Sequence, residues 1–290
     1  MKRARPTVRP AARQPDLPDA TISEQAGVRY LHLETPWIQG AMRIRQPDKL
    51  ELEYVQRMMA WLLLRDPDTL ADTRTLHLGL GAGSLTRFCH SVLRVPTTVV
   101  ELNPQVIQAC HAWFHLPDDD ERLHVIHADA DQHVRDDAHL ASADALCVDL
   151  YDHEAASPAL DDEAFYQACW RVLDDGGVMS VNLFGRDSSF ERSVQRIAAA
   201  FGPDRVACFK PTTDGNTIVL AWKGFDLPER EVLVQRAETL ASRWPLPARK
   251  WVKLLSAWKP LAPTVAASPP VRSARSARSA SPARKKAPTA

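Results

Sequence analysis

Two carboxylates three residues apart, Asp149 and Asp152, close the apolar run Ala145-Leu146-Cys147-Val148 and stand in the chain as Asp149-Leu150-Tyr151-Asp152. A pair placed at the end of a strand can bind a cationic amine and take a proton from it as its nitrogen attacks an electrophile. A free amine resembles Lys, whose pKa is about 10.4, so at neutral pH a nucleophilic amine must first be relieved of its proton. Asp is also common at the start of loops, and turn chemistry is the alternative reading of the pair.

The second chemical cluster is Leu76-His77-Leu78-Gly79-Leu80-Gly81-Ala82-Gly83, followed by Val99-Val100-Glu101. A short strand running into glycines lets backbone approach a ligand closely, and an acidic residue about 20 positions after the first glycine can bind ribose hydroxyls. The third glycine of a dinucleotide turn is missing, since Ser84-Leu85 follows Gly83. The spacing Gly79-x-Gly81-x-Gly83 fits the tighter turn of proteins that bind S-adenosylmethionine or its decarboxylated form, ligands without a pyrophosphate. Glycines also mark turns for steric reasons alone, but the strand before these and Glu101 after them favour a nucleoside cofactor.

Asp129, in His127-Ala128-Asp129-Ala130, follows the next strand and can accept a hydrogen bond from an adenine amino group; its alternative role is to cap the helix that follows. His111 and His115 have the spacing of one helical turn, yet no H-E-x-x-H motif or cysteine partner accompanies them, so no metal is expected. Neither a G-x-S-x-G elbow nor a P-loop lysine motif is present, which leaves acyl hydrolysis and nucleoside triphosphate hydrolysis without support.

Alternating strand and helix patterns must position these residues. The alternation Val28-Arg29-Tyr30-Leu31-His32-Leu33 after Gly27 predicts a small hairpin set between Thr21 and Ile44, and Leu50 to Leu64 reads as a helix. Strands are then expected at 75–78, 97–101, 123–127, 145–149 and 178–183, with helices at 104–114, 162–172 and 190–201. Asn103-Pro104 has the form of a helix start, with Asn as N-cap and Pro first inside. Val206 to Phe209 and Thr217 to Trp222, joined through Asp214-Gly215, predict an antiparallel hairpin at one edge. The result is an α/β fold: a doubly wound, mostly parallel, seven-stranded Rossmann-like sheet. Trp251, Leu254, Leu255 and Trp258 recur at helical spacing and predict a packing helix.

With 290 residues, 45% of them hydrophobic, the chain can bury a substantial core. Its formal net charge of zero hides basic ends around an acidic body. The expected division is a disordered basic tail over 1–20, a small β segment over 21–45, the nucleoside-binding catalytic domain over 46–225, helices over 226–262 and a second disordered basic tail over 263–290. Arg272, Arg275 and Arg278 in the last tail read as a solvated segment, or as a weak contact for nucleic acid. No stretch has the roughly 20 apolar residues of a membrane span and the Arg-rich start lacks a secretion signal, so a cytoplasmic protein is expected. Cys89, Cys110, Cys147, Cys169 and Cys208 are scattered and read as reduced core thiols.

In their order, these motifs resemble the polyamine aminopropyltransferase family, spermidine synthase and its relatives, within the S-adenosylmethionine-dependent methyltransferase-like superfamily. The resemblance runs from roughly Ile22 to Lys223. The family's G-G-G-D-G turn, V-E-I-D, G-D-[AG], D-[ST]-[ST]-D-P loop and F-Y helix stand here as Gly79-Leu80-Gly81-Ala82-Gly83, Val100-Glu101-Leu102-Asn103, Ala128-Asp129-Ala130, Asp149-Leu150-Tyr151-Asp152-His153 and Phe165-Tyr166-Gln167. The resemblance implies that Glu101 binds the ribose and Asp129 the adenine, that Asp149 accepts the proton, and that Asp152 helps hold the amine. It also implies substrate contacts from Tyr54 and Tyr151, decarboxylated S-adenosylmethionine as co-substrate, a polyamine as acceptor, and a homodimer.

Three positions depart from the family pattern. Ala82 replaces the acidic residue that helps hold the cofactor's aminopropyl amine. Tyr54-Val55-Gln56-Arg57-Met58 matches the family's Y-H-E-M one residue out of register, and Leu150-Tyr151 with His153 replace the small residues and proline of the active-site loop. Two alternatives therefore stay open: a methyltransferase using S-adenosylmethionine itself, whose carboxylate would meet no acid at Ala82, and a non-catalytic nucleoside-binding relative.

Overall fold

In the computed structural model, residues 17–150, 160–184 and 188–260 are described. Strands β1 (Ala20–Gln25), β2 (Val28–Leu33) and β3 (Gly40–Arg43) form a three-stranded antiparallel sheet in that order. Ala26 and Gly27 join the first two strands in a two-residue turn with positive φ at both positions, as a tight hairpin requires. Leu31 and Met42 on this sheet are buried against Leu80, Ala82 and Val106, so the small sheet is seated on the glycine turn. Pro18 and Asp19, within the stretch expected as tail, are tied to the main body: the Pro18 carbonyl accepts from Asn103 Nδ2 at 2.8 Å and the Asp19 carboxylate from Gln105 Nε2 at 2.7 Å.

The helix expected over 50–64 divides in two. Helix α1 (Glu53–Met58) tightens into a 3-10 segment over Met59–Leu64. Those six residues are apolar throughout and all buried, wedged between the main sheet and the C-terminal helices, so packing on every side overrides the one-faced pattern of an α-helix.

The main sheet comprises β4 (Thr75–Leu78), β5 (Thr97–Glu101), β6 (Leu123–His127), β7 (Ala143–Val148), β8 (Leu173–Phe184), β9 (Val206–Phe209), β10 (Asn216–Trp222) and β11 (Leu255–Ala257). Its order is β11-β9-β10-β8-β7-β4-β5-β6, with β4 to β8 parallel and the other three pairings antiparallel. The first seven match the expected strands, and an eighth is added at the edge. Helical spacing holds only through α8 (Ala248–Leu254); from Leu255 the chain extends and pairs with β9, Leu255 opposite Phe209 and Ala257 opposite Ala207. An edge strand exposes unpaired amides and carbonyls, and satisfying them outweighs continuing the helix.

The connecting helices are α2 (Ser84–Arg87), α3 (Pro104–Trp113), α4 (Ala130–Arg135), α5 (Glu163–Val172), α6 (Ser188–Phe201) and α7 (Arg230–Arg243). They cover both faces of the sheet. One face buries Trp61, Trp222 and Trp251, the other Phe165, Tyr166 and Val172. The five cysteines are free, four of them buried. His115 does not stack on His111, because α3 ends at Trp113 and His115 turns out with a φ of 53°, the left-handed conformation that closes many helices. Among the described residues no helix is long and apolar enough to cross a membrane.

Candidate active site

Strand order reverses between β4 and β7, so their carboxyl ends lie side by side at the point where open α/β sheets bind ligands. Leu78 pairs with Val148, and the Asp149 amide donates to the Leu78 carbonyl at 3.0 Å. The glycine turn thus begins against the start of the carboxylate loop. Gly79 has a φ of +89°, and a Cβ there would strike the Asp149 carbonyl oxygen. Only glycine allows both that conformation and that approach.

The turn is clamped from the other side by the small sheet. A Cβ on Gly40 would lie 2.5 Å from the Ala82 nitrogen, Ser84 Oγ donates to the Ala41 carbonyl at 3.0 Å, and Arg87 Nη1 donates to the Ala82 carbonyl at 2.6 Å. Ala82 and Arg87 are each 2% exposed. Burial pulls the Arg87 guanidinium down to about 10. Ala82 is therefore a packing residue in a seam, and nothing in its sequence neighbourhood signals that Gly40 will reach it.

Glu101 ends β5 beside the turn. Its Oε2 accepts from the Leu80 amide at 2.9 Å and its Oε1 from the Asn103 amide at 2.8 Å. Burial pushes its carboxyl up from the ordinary value, and these amides oppose the shift by stabilising the anion. Asn103 caps α3 as its sequence predicts, Oδ1 accepting from the Gln105 amide at 2.9 Å with Pro104 in the first helical position. Asp129 caps α4: Oδ1 accepts from the Asp131 and Gln132 amides at 2.8 and 3.4 Å. Both amides use the same oxygen, so capping leaves Oδ2 for another donor.

Asp149 is half-buried, directly after β7. Asn182 Nδ2 donates to its Oδ1 at 2.9 Å, and the Tyr54 hydroxyl, from α1, bonds to the same carboxylate. Burial raises the Asp149 carboxyl above its usual range, while Asn182 and Tyr54 pull it back. Behind Asn182, Asn216 Nδ2 donates to Asn182 Oδ1 at 3.1 Å. Tyr54, expected as a substrate contact, is thus joined to the expected proton acceptor. Tyr151, Asp152 and His153 lie outside the described residues. Neither Asn182 nor Asn216 was identified as a site residue from sequence. The available signal is an amide at the carboxyl end of an inner, mostly apolar strand, Val178-Met179-Ser180-Val181-Asn182.

A glycine turn, an acidic residue ending the next strand and a half-buried carboxylate at the switch point sit on an α/β fold of methyltransferase type. Residues 78–202 match the family model described as the spermine/spermidine synthase domain. A polyamine aminopropyltransferase from Chromobacterium violaceum is 33% identical over 250 residues, covering 86% of this chain and 92% of the relative. The chain belongs to the polyamine aminopropyltransferase family. Among solved structures, a probable spermidine synthase from Corynebacterium glutamicum superposes with a TM-score of 0.61 at 20% identity, covering 75% of this chain and 83% of that one. Human methyltransferase-like protein 13 in complex with SAH does so with a TM-score of 0.56 at 22% identity, covering 72% and 96%. The fold is common to both chemistries and by itself chooses neither.

Proposed function

We propose that the protein transfers the aminopropyl group of decarboxylated S-adenosylmethionine to an amine of a polyamine, releasing methylthioadenosine. The nitrogen lone pair attacks the methylene next to the sulfonium, the C–S bond breaks with its electrons going to sulfur, and the proton on nitrogen passes to the Asp149 carboxylate. Glu101 and the turn at Gly79, Gly81 and Gly83 hold the ribose side of the nucleoside, and Asp129 Oδ2 accepts from the adenine amino group. Asp152 and Tyr151 complete the amine site, and the reaction belongs in the cytoplasm. The observation that carries this reading is the half-buried Asp149 carboxylate, backed by Asn182 and Tyr54, on a residue whose backbone abuts the glycine turn. Positioning two cationic partners and removing one proton are the main catalytic demands of such a displacement.

Asp149→Asn tests it. Loss of the proton acceptor lowers kcat by about 10²- to 10⁴-fold while nucleoside affinity, measured by calorimetry, is retained; full turnover in the variant overturns the reading. Ala82, with the Arg87 guanidinium on its carbonyl, supports a second reading. A positive charge under the turn suits a ligand carboxylate, so the protein would use S-adenosylmethionine for methyl transfer. Calorimetry with the two nucleosides separates the readings: tighter binding of the decarboxylated ligand supports aminopropyl transfer, and tighter binding of the carboxylated one supports methyl transfer.

A further inference from the structure

We propose that Asn216 and Asn182 form a directed amide relay that orients the Asp149 carboxylate, making Asn216 a positioning residue for the reaction although it does not touch Asp149. This rests on Asp149 as proton acceptor. A primary amide has a donor end and an acceptor end, and its orientation decides what it presents to a neighbour. Asn182 turns its donor end to Asp149 Oδ1, at 2.9 Å, and its acceptor end receives Asn216 Nδ2 at 3.1 Å. With Asn182 reversed, two oxygens would face each other at Asp149 and two NH2 groups would face each other at Asn216. Both hydrogen bonds would be lost together.

Asn216 is itself fixed. It opens β10 opposite Phe184, two residues along from the Ile218–Asn182 pair, so its side chain reaches diagonally across the ladder. Its amide donates to Thr212 Oγ1 at 3.1 Å and its carbonyl accepts from the Thr212 amide at 2.7 Å, which pins it at the hairpin between β9 and β10. These bonds hold the Asn216 backbone in place, and its side chain presents Nδ2 to the Asn182 acceptor end. Asp149 is half-buried, and partial removal from water favours the neutral acid, which cannot take a proton. Each donated hydrogen bond counteracts that tendency. Among the described residues, the titratable groups facing Asp149 are the Tyr54 phenol from α1 and the Cys147 thiol from its own strand; β8 faces it with the Asn182 amide.

Carboxyl ¹³C NMR of the aspartate-labelled protein across pH tests the relay, the Asp149 resonance being the one that disappears in Asp149→Asn. Asn182→Leu raises the Asp149 midpoint by about one unit, the equivalent of a hydrogen bond to a charged group. Asn216→Leu raises it by less, in the same direction, and shifts the acidic limb of the kcat/KM profile equally. Should Asn216→Leu fail to fold, the smaller Asn216→Ser, too short to reach Asn182, replaces it. A midpoint unchanged from wild type in the folded Asn216 variant overturns the relay. If the midpoint shifts but Asp149→Asn retains turnover, the relay stands and Asp149 as proton acceptor fails.

Discussion

The Glu101 carboxylate accepts the Leu80 and Asn103 amides on separate oxygens, so glutamine in its place leaves one amide facing an NH2 group. Glu101→Gln is expected to destabilise the ligand-free protein by about 1–3 kcal/mol, measured by urea denaturation, and also to weaken nucleoside binding. Asp129→Asn is the contrasting case. Asn caps a helix about as well as Asp, so stability stays within about 0.5 kcal/mol of wild type and any loss of nucleoside affinity in calorimetry reports the ligand contact alone. A variant that unfolds more easily would put the importance of Asp129 in its cap. Spacing along the chain was enough to place Glu101, Asp129 and Asp149 at the carboxyl ends of strands, because each ends or follows a strand of a recognisable unit. It could not select Asn182, Asn216 or Arg87 as site-shaping residues: their contacts join segments 33, 34 and 40 residues apart, and they exist only once the sheet is assembled.

The small sheet and the glycine turn share one seam, and Gly40 is its tightest point. A Cβ there meets the Ala82 backbone nitrogen at 2.5 Å, and backbone cannot move aside as a flexible side chain can. Gly40→Ala is therefore expected to lift β3 from the turn, costing about 1–3 kcal/mol and weakening nucleoside binding at the same time. Thermal denaturation with and without ligand checks it; unchanged stability and affinity would mean that the two elements are not mechanically joined. Elements with strong local patterns were legible in the sequence: β4, β5 and β6 fall on their expected residues, and α5 and α6 lie within two residues of theirs. Two elements were set by packing instead. The apolar run Met59–Leu64 carries no one-sided periodicity to read, and β11 exists because β9 presents an open edge to it.

At the scale of the whole molecule, buried titratable groups set how stability follows pH, and in the acid range His77 is a large contributor of one sign. It sits in the central strand, 1% exposed, Nδ1 beside Thr86 Oγ1 at 3.1 Å and Nε2 without a partner among the described residues. Burial pushes it from 6.5 down to about 4. The unfolded chain thus binds this proton more readily than the folded one, so stability is lost as pH falls from 6.5 towards 4. His133 is shifted down by burial and by His139 and acts in the same direction. Glu101 and Asp149, held above their usual range by burial, act in the opposite direction, since the folded state takes up their protons first. Asp120, drawn down to about 2 by His90, lies outside this window, losing its contribution only below 3.8. Between pH 7 and pH 5 the His77 contribution alone amounts to a loss of about 2 kcal/mol. His77→Leu, which has no proton to bind in either state, is expected to flatten this fall in urea denaturation series at the two pH values. A fall as steep in the variant as in the wild type would place the acid sensitivity elsewhere, with His133 the next group to replace.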